Sequence, residues 1–546
     1  MPEMKMWKRI ASMLLCVAMV LALGACASNA NANANANNSA DPNASAGTEG
    51  NANSGNIVVA AASLGNTLNP WDQTDGTTSA FQYAAYERLV KYATTTDENG
   101  NAVADTSNLV GAIAESWETS EDQLTWTFHL NPDATFANGD KVLASDVIWS
   151  FEQCQANANS SFFFTLTNIV DMQAPDDETV VFTLSQKSHM FLRLLEIYPF
   201  CIVNQDEAEA GIAEDPDYLT THTAGSGPYE ITTYDITNSV VLTARDDYWG
   251  ADKPANDSVT WQLVQEPSNR QLLLENGDVD VALNLDDKNI NTVAEMDGIQ
   301  VVKNASNMHL YLAMNLNIEP FDNVLVRQAI AYAIPYDTLV NDVMFGNATR
   351  TTSMLPDNVT GHISDDKTCY QTDLEKAKEL LAEAGYPDGF TCTLTLGNGF
   401  TDWKDTAITI QDALSKIGIT MEINEIDRAT FLTEIANKNT ALFINRFNPF
   451  IGDPGYLVNN LYVNEAAYNY NNYNNEEFDA LYFQGESADT EEERMECYKE
   501  MQYIYAEDCP SVQLYQYDFA YCARDNISGY VFYPDLTLRF EFLSKG

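Results

Sequence analysis

Residues 27–56 constrain the chain most, because they cannot fold. They read ASNANANANANNSADPNASAGTEGNANSGN, a tract of Asn, Ala, Ser and Gly with almost no apolar bulk. Such a segment buries too little to offset its ordering entropy, so it reads as a flexible tether. A coil of about 30 residues has a root-mean-square reach of roughly 30 Å. The folded body therefore starts at Ile57 and lies between there and Gly546. Hydrophobic residues make up 45% of the 546-residue chain, enough to bury large cores. That length suits several average domains or one body built of several lobes.

Ahead of the tether, Lys5, Lys8 and Arg9 precede an uncharged apolar run from Ile10 to Leu23. The run is shorter than the roughly 20 residues of a spanning helix. Residues 1–25 read as an export leader, outside the fold. The run ends in Leu23-Gly24-Ala25-Cys26, which resembles a bacterial lipobox. The resemblance implies cleavage before Cys26 and a diacylglycerol on its thiol. Residues 26–56 would then be a lipidated cysteine and its tether. The chain would sit at the cell membrane by lipid anchor alone, facing the outside, or the periplasm where there is an outer membrane. No later stretch is long and apolar enough to span a bilayer.

The 79 acidic residues against 28 basic ones give a formal net charge of -51. Phosphates would be repelled, so nucleic acid is not an expected partner. Two readings of the acidity stand: solubility of an exported protein, and electrostatic steering of cationic ligands. Of nine cysteines, Cys16 leaves with the leader and Cys26 carries lipid. The remaining seven are an odd number without a C-x-x-C pair, so no zinc site is expected. An extracellular setting permits one or two disulfides. No two of His129, His189, His222, His309 and His362 are spaced i, i+4. No metal and no cofactor are expected. No G-x-S-x-G elbow, H-E-x-x-H helix or Walker loop is present, so the chain does not read as an enzyme.

Strand signals fall at Val58 to Ala61, Leu124 to Leu130, Val180 to Leu184, Val240 to Thr243, His309 to Met314, Thr391 to Leu396 and Met421 to Ile423. Two helices are clear. One runs from an Asp cap at Asp373 to a stop at Gly385; the other spans Thr406 to Ile417 before Gly418. Each precedes a strand-like run, which makes this region an α/β unit.

A set of ordered runs then carries a family resemblance. Ala114-Glu115-Ser116-Trp117 is followed by Trp126-Thr127-Phe128-His129-Leu130, Phe136-Ala137-Asn138-Gly139-Asp140 and Ser145-Asp146-Val147-Ile148-Trp149-Ser150. Downstream come Gly225-Ser226-Gly227-Pro228-Tyr229, Tyr248-Trp249-Gly250, Asn276-Gly277-Asp278-Val279-Asp280 and Val326-Arg327-Gln328-Ala329-Ile330. Ala384-Gly385-Tyr386-Pro387-Asp388-Gly389-Phe390 and Asp453-Pro454 close the series. Together they resemble the oligopeptide-, dipeptide- and nickel-binding receptors of ABC importers, the bacterial extracellular solute-binding proteins of family 5. The match covers essentially all of residues 57–546. Most of these residues read as scaffold: turn glycines, helix caps and half-buried strands.

The resemblance implies an α/β, periplasmic-binding-protein-like fold of three lobes, with mixed sheets flanked by helices. Lobe I would be assembled from 57–95, 205–305 and 525–546. Lobe II would be inserted at 96–204, and lobe III would span 306–524. Crossings near Ala305 and Asp525 would form a hinge over a ligand cleft. The partners it implies are a peptide or small-molecule ligand and an ABC permease with its ATPase, engaged by a monomer.

Two segments match the ligand-pairing positions of peptide-binding members. The first is Thr74 to Ser79, with Asp75, Thr77 and Thr78; the second is Arg446-Phe447-Asn448-Pro449-Phe450-Ile451-Gly452-Asp453. Peptide binders place an acid a few residues before the D-P dipeptide, to hold the α-ammonium. Phe450 occupies that position here, and Pro449 has no N–H to give a ligand strand. Asp453 is either the cap of the next helix or a ligand contact. Arg446 matches a position where some members face a ligand carboxylate, a role suited to its bidentate fork; the other reading is a structural ion pair. Trp403 lies where the family often puts a ligand-facing side chain. Trp71 and Tyr83 are cleft aromatics or core residues. A peptide or peptide-like solute is the first expectation. The alternatives are a non-peptide polar solute, such as a glycoside or metal chelate, and a surface signalling or adhesion lipoprotein that reuses the fold.

Overall fold

Ile57 and Val59 point inward and are fully buried, and that alternation sets the first strand, Asn56–Ala61. Its first residue was expected to end the tether. The computed structural model describes residues 55–546. The leader, Cys26 and the tether up to residue 54 lie outside the described residues.

The first strand runs parallel to Ser258–Leu263 on one side and Val281–Ala282 on the other. The hairpin Tyr229–Asp235 and Ser239–Ala244 extends the sheet beyond Ser258–Leu263. On the other side, two long antiparallel strands carry the sheet onward: Ile299–Met314 and Ser511–Arg524. Ala523 and Cys522 pair with Val281–Ala282. At the far end of its length, His309–Met314 pairs with Leu442–Phe447, and the parallel strands Thr391–Gly397 and Thr420–Ile426 follow. The result is one eleven-stranded mixed sheet with two halves joined by the long pair. Helices flank it, as the expected α/β class requires.

The long pair is not continuous. Its register breaks between Ala305 and His309, opposite the stretch from Asp518 to Gln516. The hydroxyl of Ser306 fills the break, donating to the Tyr517 carbonyl at 2.7 Å and accepting from the Met308 N–H at 3.1 Å. The half of this strand before the break went unrecognised in the sequence because Lys303, Asn304, Ser306 and Asn307 mask its strand pattern.

A separate four-stranded antiparallel sheet is ordered Ala114–Thr119, Thr125–Leu130, Thr179–Leu184, Ile169–Asp176. Phe128, Phe182 and Phe191 pack edge-on within its core, and Phe151 of the helix Ala144–Ala156 stacks on Phe182 at 4.9 Å. That helix is capped by Asp146, whose carboxylate accepts from the Leu143 N–H at 2.9 Å.

The helix expected from Asp373 spans Leu374–Glu383, and the Asp373 carboxylate accepts from the Lys376 N–H at 2.9 Å. The helix expected at 406–417 spans Thr401–Ser415. It starts more than a turn early because Thr401 and Asp402 extend its N-terminus, where the acid favours the helix dipole. The seven cysteines among the described residues are all free. No helix among them is long and apolar enough to cross a membrane.

Candidate functional site

A cavity of about 520 Å³ opens where the two halves of the large sheet meet. The first half supplies Gly76, Thr77, Trp261 and Leu285. The second supplies Asp402, Arg446, Asn448 and Phe450, and the long strands add Ser306, Tyr517 and Asp518. Of the residues singled out from sequence, Thr77, Arg446, Asn448 and Phe450 come together on these walls.

Arg446 ends the Leu442–Phe447 strand, and its guanidinium lies 4.6 Å from the centre of the Phe400 ring. Among the described residues it makes no ion pair, so its fork is open to a ligand carboxylate. The Asn448 side-chain oxygen also has no hydrogen-bond partner there.

The acids of the cavity were missed in the sequence. Asp402 sits in the first turn of Thr401–Ser415 and accepts from the Tyr517 hydroxyl at 2.6 Å. Burial raises its carboxyl above the ordinary value, with Tyr517 and Arg446 opposing. Burial also pushes Asp287 up to about 7, aided by Asp402, Asp286 and Asp518 and opposed by Lys303. Asp518 is raised by burial too, against Lys303. Asp287, Asp402 and Asp518 therefore share one low-dielectric region in which negative charge is under-compensated. An entering cation would relieve it. No group of three or more acids, histidines or cysteines placed to hold a metal ion is found among the described residues.

Several expected site residues stand elsewhere. Trp403 is fully buried; its ring stacks on Phe400 at 4.6 Å and its indole N–H donates to Tyr517 at 3.3 Å. Adjacent helix positions point about 100° apart, so with Asp402 on the cavity wall, Trp403 faces the core. Trp71 is also a core residue, edge-on to Trp149 at 5.6 Å. Tyr83 is buried under Arg539, 3.7 Å from its ring, and its hydroxyl accepts from the Tyr198 N–H at 3.1 Å. Arg539 in turn bonds Asp535 at 2.8 Å and lies 3.4 Å from Glu196. Tyr83 thus belongs to a buried ion network, not to the cavity walls.

Asp75 and Thr78 shape the loop that carries Thr77. The Asp75 carboxylate accepts from Ser63 at 2.5 Å and from the Thr77 N–H at 2.9 Å. The Thr78 hydroxyl accepts from the Asn66 N–H at 3.1 Å. Phe447 packs against Tyr468 and Tyr456, with ring centres 5.7 and 6.5 Å away. The two readings of Asp453 resolve to the cap. It accepts from the Gly455 N–H at 2.8 Å and pairs with Arg494 at 2.5 Å and Arg193 at 2.8 Å. Burial alone would raise this acid; the two guanidiniums outweigh it and hold it below the ordinary carboxylate value.

Comparison with known proteins meets this geometry. Residues 108–469 match the family described as bacterial extracellular solute-binding proteins, family 5 Middle. The probable D,D-dipeptide-binding periplasmic protein DdpA of Escherichia coli K12 is 28% identical over 88% of this chain and 92% of its own length. The glutathione-binding protein GsiB of Shigella flexneri is 26% identical over 89% of this chain and 93% of its own. Among solved structures, the ABC transporter-associated periplasmic binding protein DppA of Helicobacter pylori, in complex with the peptide STSA, superposes with a TM-score of 0.77. It is 26% identical and covers 90% of this chain and 98% of its own.

Proposed function

The chain belongs to the bacterial extracellular solute-binding proteins of family 5, and we propose that it captures a peptide or peptide-like solute and delivers it to an ABC permease and its ATPase. The observation that carries this reading is the pairing of opposite charges in one cavity. Arg446, unpaired among the described residues, faces a space whose other walls carry Asp402 and Asp518, with Asp287 beside them. A zwitterionic solute satisfies both signs: its carboxylate meets the guanidinium and its ammonium meets the acids. The relatives named for a D,D-dipeptide and for glutathione, and the neighbour holding the peptide STSA, support that solute class.

In this reading Phe450 does not hold the ammonium. The task passes to acids on other segments, Asp402 above all. The three-lobed division at 57–95 plus 205–305 plus 525–546, 96–204 and 306–524 stays part of the proposal. The register break at Ala305 to His309 serves as one hinge strand. The second crossing in this proposal stays near Asp525, after the strand Ser511–Arg524. Lipidation of Cys26 would keep the monomeric receptor beside its permease.

A thermal-shift screen tests the solute class. Free di- and tripeptides are expected to raise the melting temperature, and their N-acetylated counterparts to raise it less, because acetylation removes the ammonium. The Asp402→Asn variant should weaken free peptides by about tenfold, the cost of one charge-assisted bond. Stabilisation by sugars or metal chelates, with none by peptides, would overturn the solute class.

A further inference from the structure

The loop Arg446 to Asp453 enters the cavity, yet it is gripped from outside by the part of the chain that bears the four-stranded sheet. Ile451 is buried in the same apolar core as that sheet, and two further contacts flank it. Phe450 lies edge-on between Phe163 and Tyr198, with ring centres 5.8 and 5.9 Å away. At the loop's end, Arg193 reaches Asp453 with its guanidinium at 2.8 Å.

Arg193 belongs to a strap with two cations, Lys187 and Arg193, and between them His189, whose charged form burial and Arg494 disfavour. Lys187, His189 and Arg193 fall within seven residues, in a chain where acids outnumber bases 79 to 28. Opposite the strap lie Asp453, Asp489 and Glu491. Lys187 donates to the Ala488 carbonyl at 2.6 Å and sits 3.5 Å from Asp489. His189 Nε2 is 3.1 Å from the same carbonyl. Charge complementarity of this kind fixes register between two surfaces.

The two partners of Asp453 are not equivalent. Arg494 and Asp453 are each 1% exposed, and Arg494 also pairs with Glu486 at 3.2 Å. Arg193 is 25% exposed and also donates to the Thr106 and His189 carbonyls. Withdrawing Arg193 leaves Asp453 with its cap bond and with Arg494, a guanidinium it shares with Glu486, while Arg193 can take up water. A buried pair without such a second partner would be too costly to separate reversibly.

We propose that Arg193 is a positioning residue for the ligand loop, a detachable clasp that holds Arg446 to Asp453 in its cavity-facing conformation. Arg494 keeps Asp453 folded; Arg193 fixes where the loop sits. Lys187 and His189 anchor the other end of the strap, at the turn containing Ala488.

Hydrogen–deuterium exchange on the purified full chain, with no solute added, tests this. In Arg193→Ala, amides of residues 447–453 are expected to exchange roughly tenfold faster, the loss of one charge-assisted contact. The four-stranded sheet should exchange as in wild type. Arg193→Lys should restore part of the protection, because it returns a single cationic donor. Lys187→Ala should speed exchange around 487–490 and leave 447–453 unchanged. Unchanged exchange at 447–453 in Arg193→Ala would overturn the proposal. So would an equal rise throughout the molecule, or no rescue by lysine. If Arg193→Ala does not fold, slower loop exchange in wild type than in Arg193→Lys decides the question in its favour, and equal exchange decides it against. Solute plays no part in this test, so its outcome is independent of the peptide reading.

Discussion

Asp287 shows what the cavity's chemistry costs the fold. Its carboxyl is held up to about 7, against an ordinary value of 3.8, first by burial and then by neighbouring acids. A raised acid binds its proton more tightly folded than unfolded. Stability therefore falls as pH rises between about 4 and 7, and the full penalty is present above that window. Asp287→Asn removes the penalty. Melting curves should show the variant gaining at pH 8, by about 1–2 kcal/mol after allowing for partial exposure, and gaining nothing at pH 4. At neutral pH the same change should weaken a cationic solute, the usual exchange between stability and function. A gain over wild type that is the same at pH 4 and pH 8 would mean that Asp287 is not charge-strained. At this scale the sequence was only partly readable. Arg446 and Phe450 could be placed by their distance from Asp453-Pro454. Asp402 could not, because it is the immediate neighbour of Trp403 and only the helix phase decides which of the two meets the cavity. Asp518 is more distant still: nothing local in Tyr517-Asp518-Phe519 marks it as a partner of residues more than a hundred positions away.

The elements were more legible than the residues. The Asp373 cap, the Thr391 strand and the hairpin strand containing Val240 to Thr243 each carry a local signal, and each formed within a residue or two of its expected limits. Of Ile299–Met314, only the half from His309 onward followed from local pattern. The stretch Asn304 to Asn307 is polar at the join between the sheet halves, where the ladder is interrupted after Ala305. Ser306 is the clearest case: fully buried, it supplies both hydrogen bonds that the broken register leaves open. Ser306→Ala would strand the Met308 N–H and deprive the Tyr517 carbonyl of its donor. Urea unfolding should report a loss of about 1–3 kcal/mol. An unchanged midpoint would indicate that the break is held by the strands themselves.

At the scale of the molecule, two sheet halves share a pair of long strands, and the cavity lies at their junction. The four-stranded sheet reaches across to the ligand loop through Phe450 and Arg193. A solute that bridges Asp402 and Arg446 contacts one half directly and meets the other through Thr77 and Trp261. In the proposed reading such a ligand would favour a closed arrangement by its differential contacts, as hinge-closing receptors require. The most direct measurement is the radius of gyration from small-angle X-ray scattering, with and without a saturating pool of free di- and tripeptides, for wild type and for Asp402→Asn/Arg446→Ala. The account predicts that the pool contracts the wild-type protein and leaves the double variant at its ligand-free size. Equal contraction of both proteins, or no contraction of a wild type that the same peptides stabilise, would contradict it.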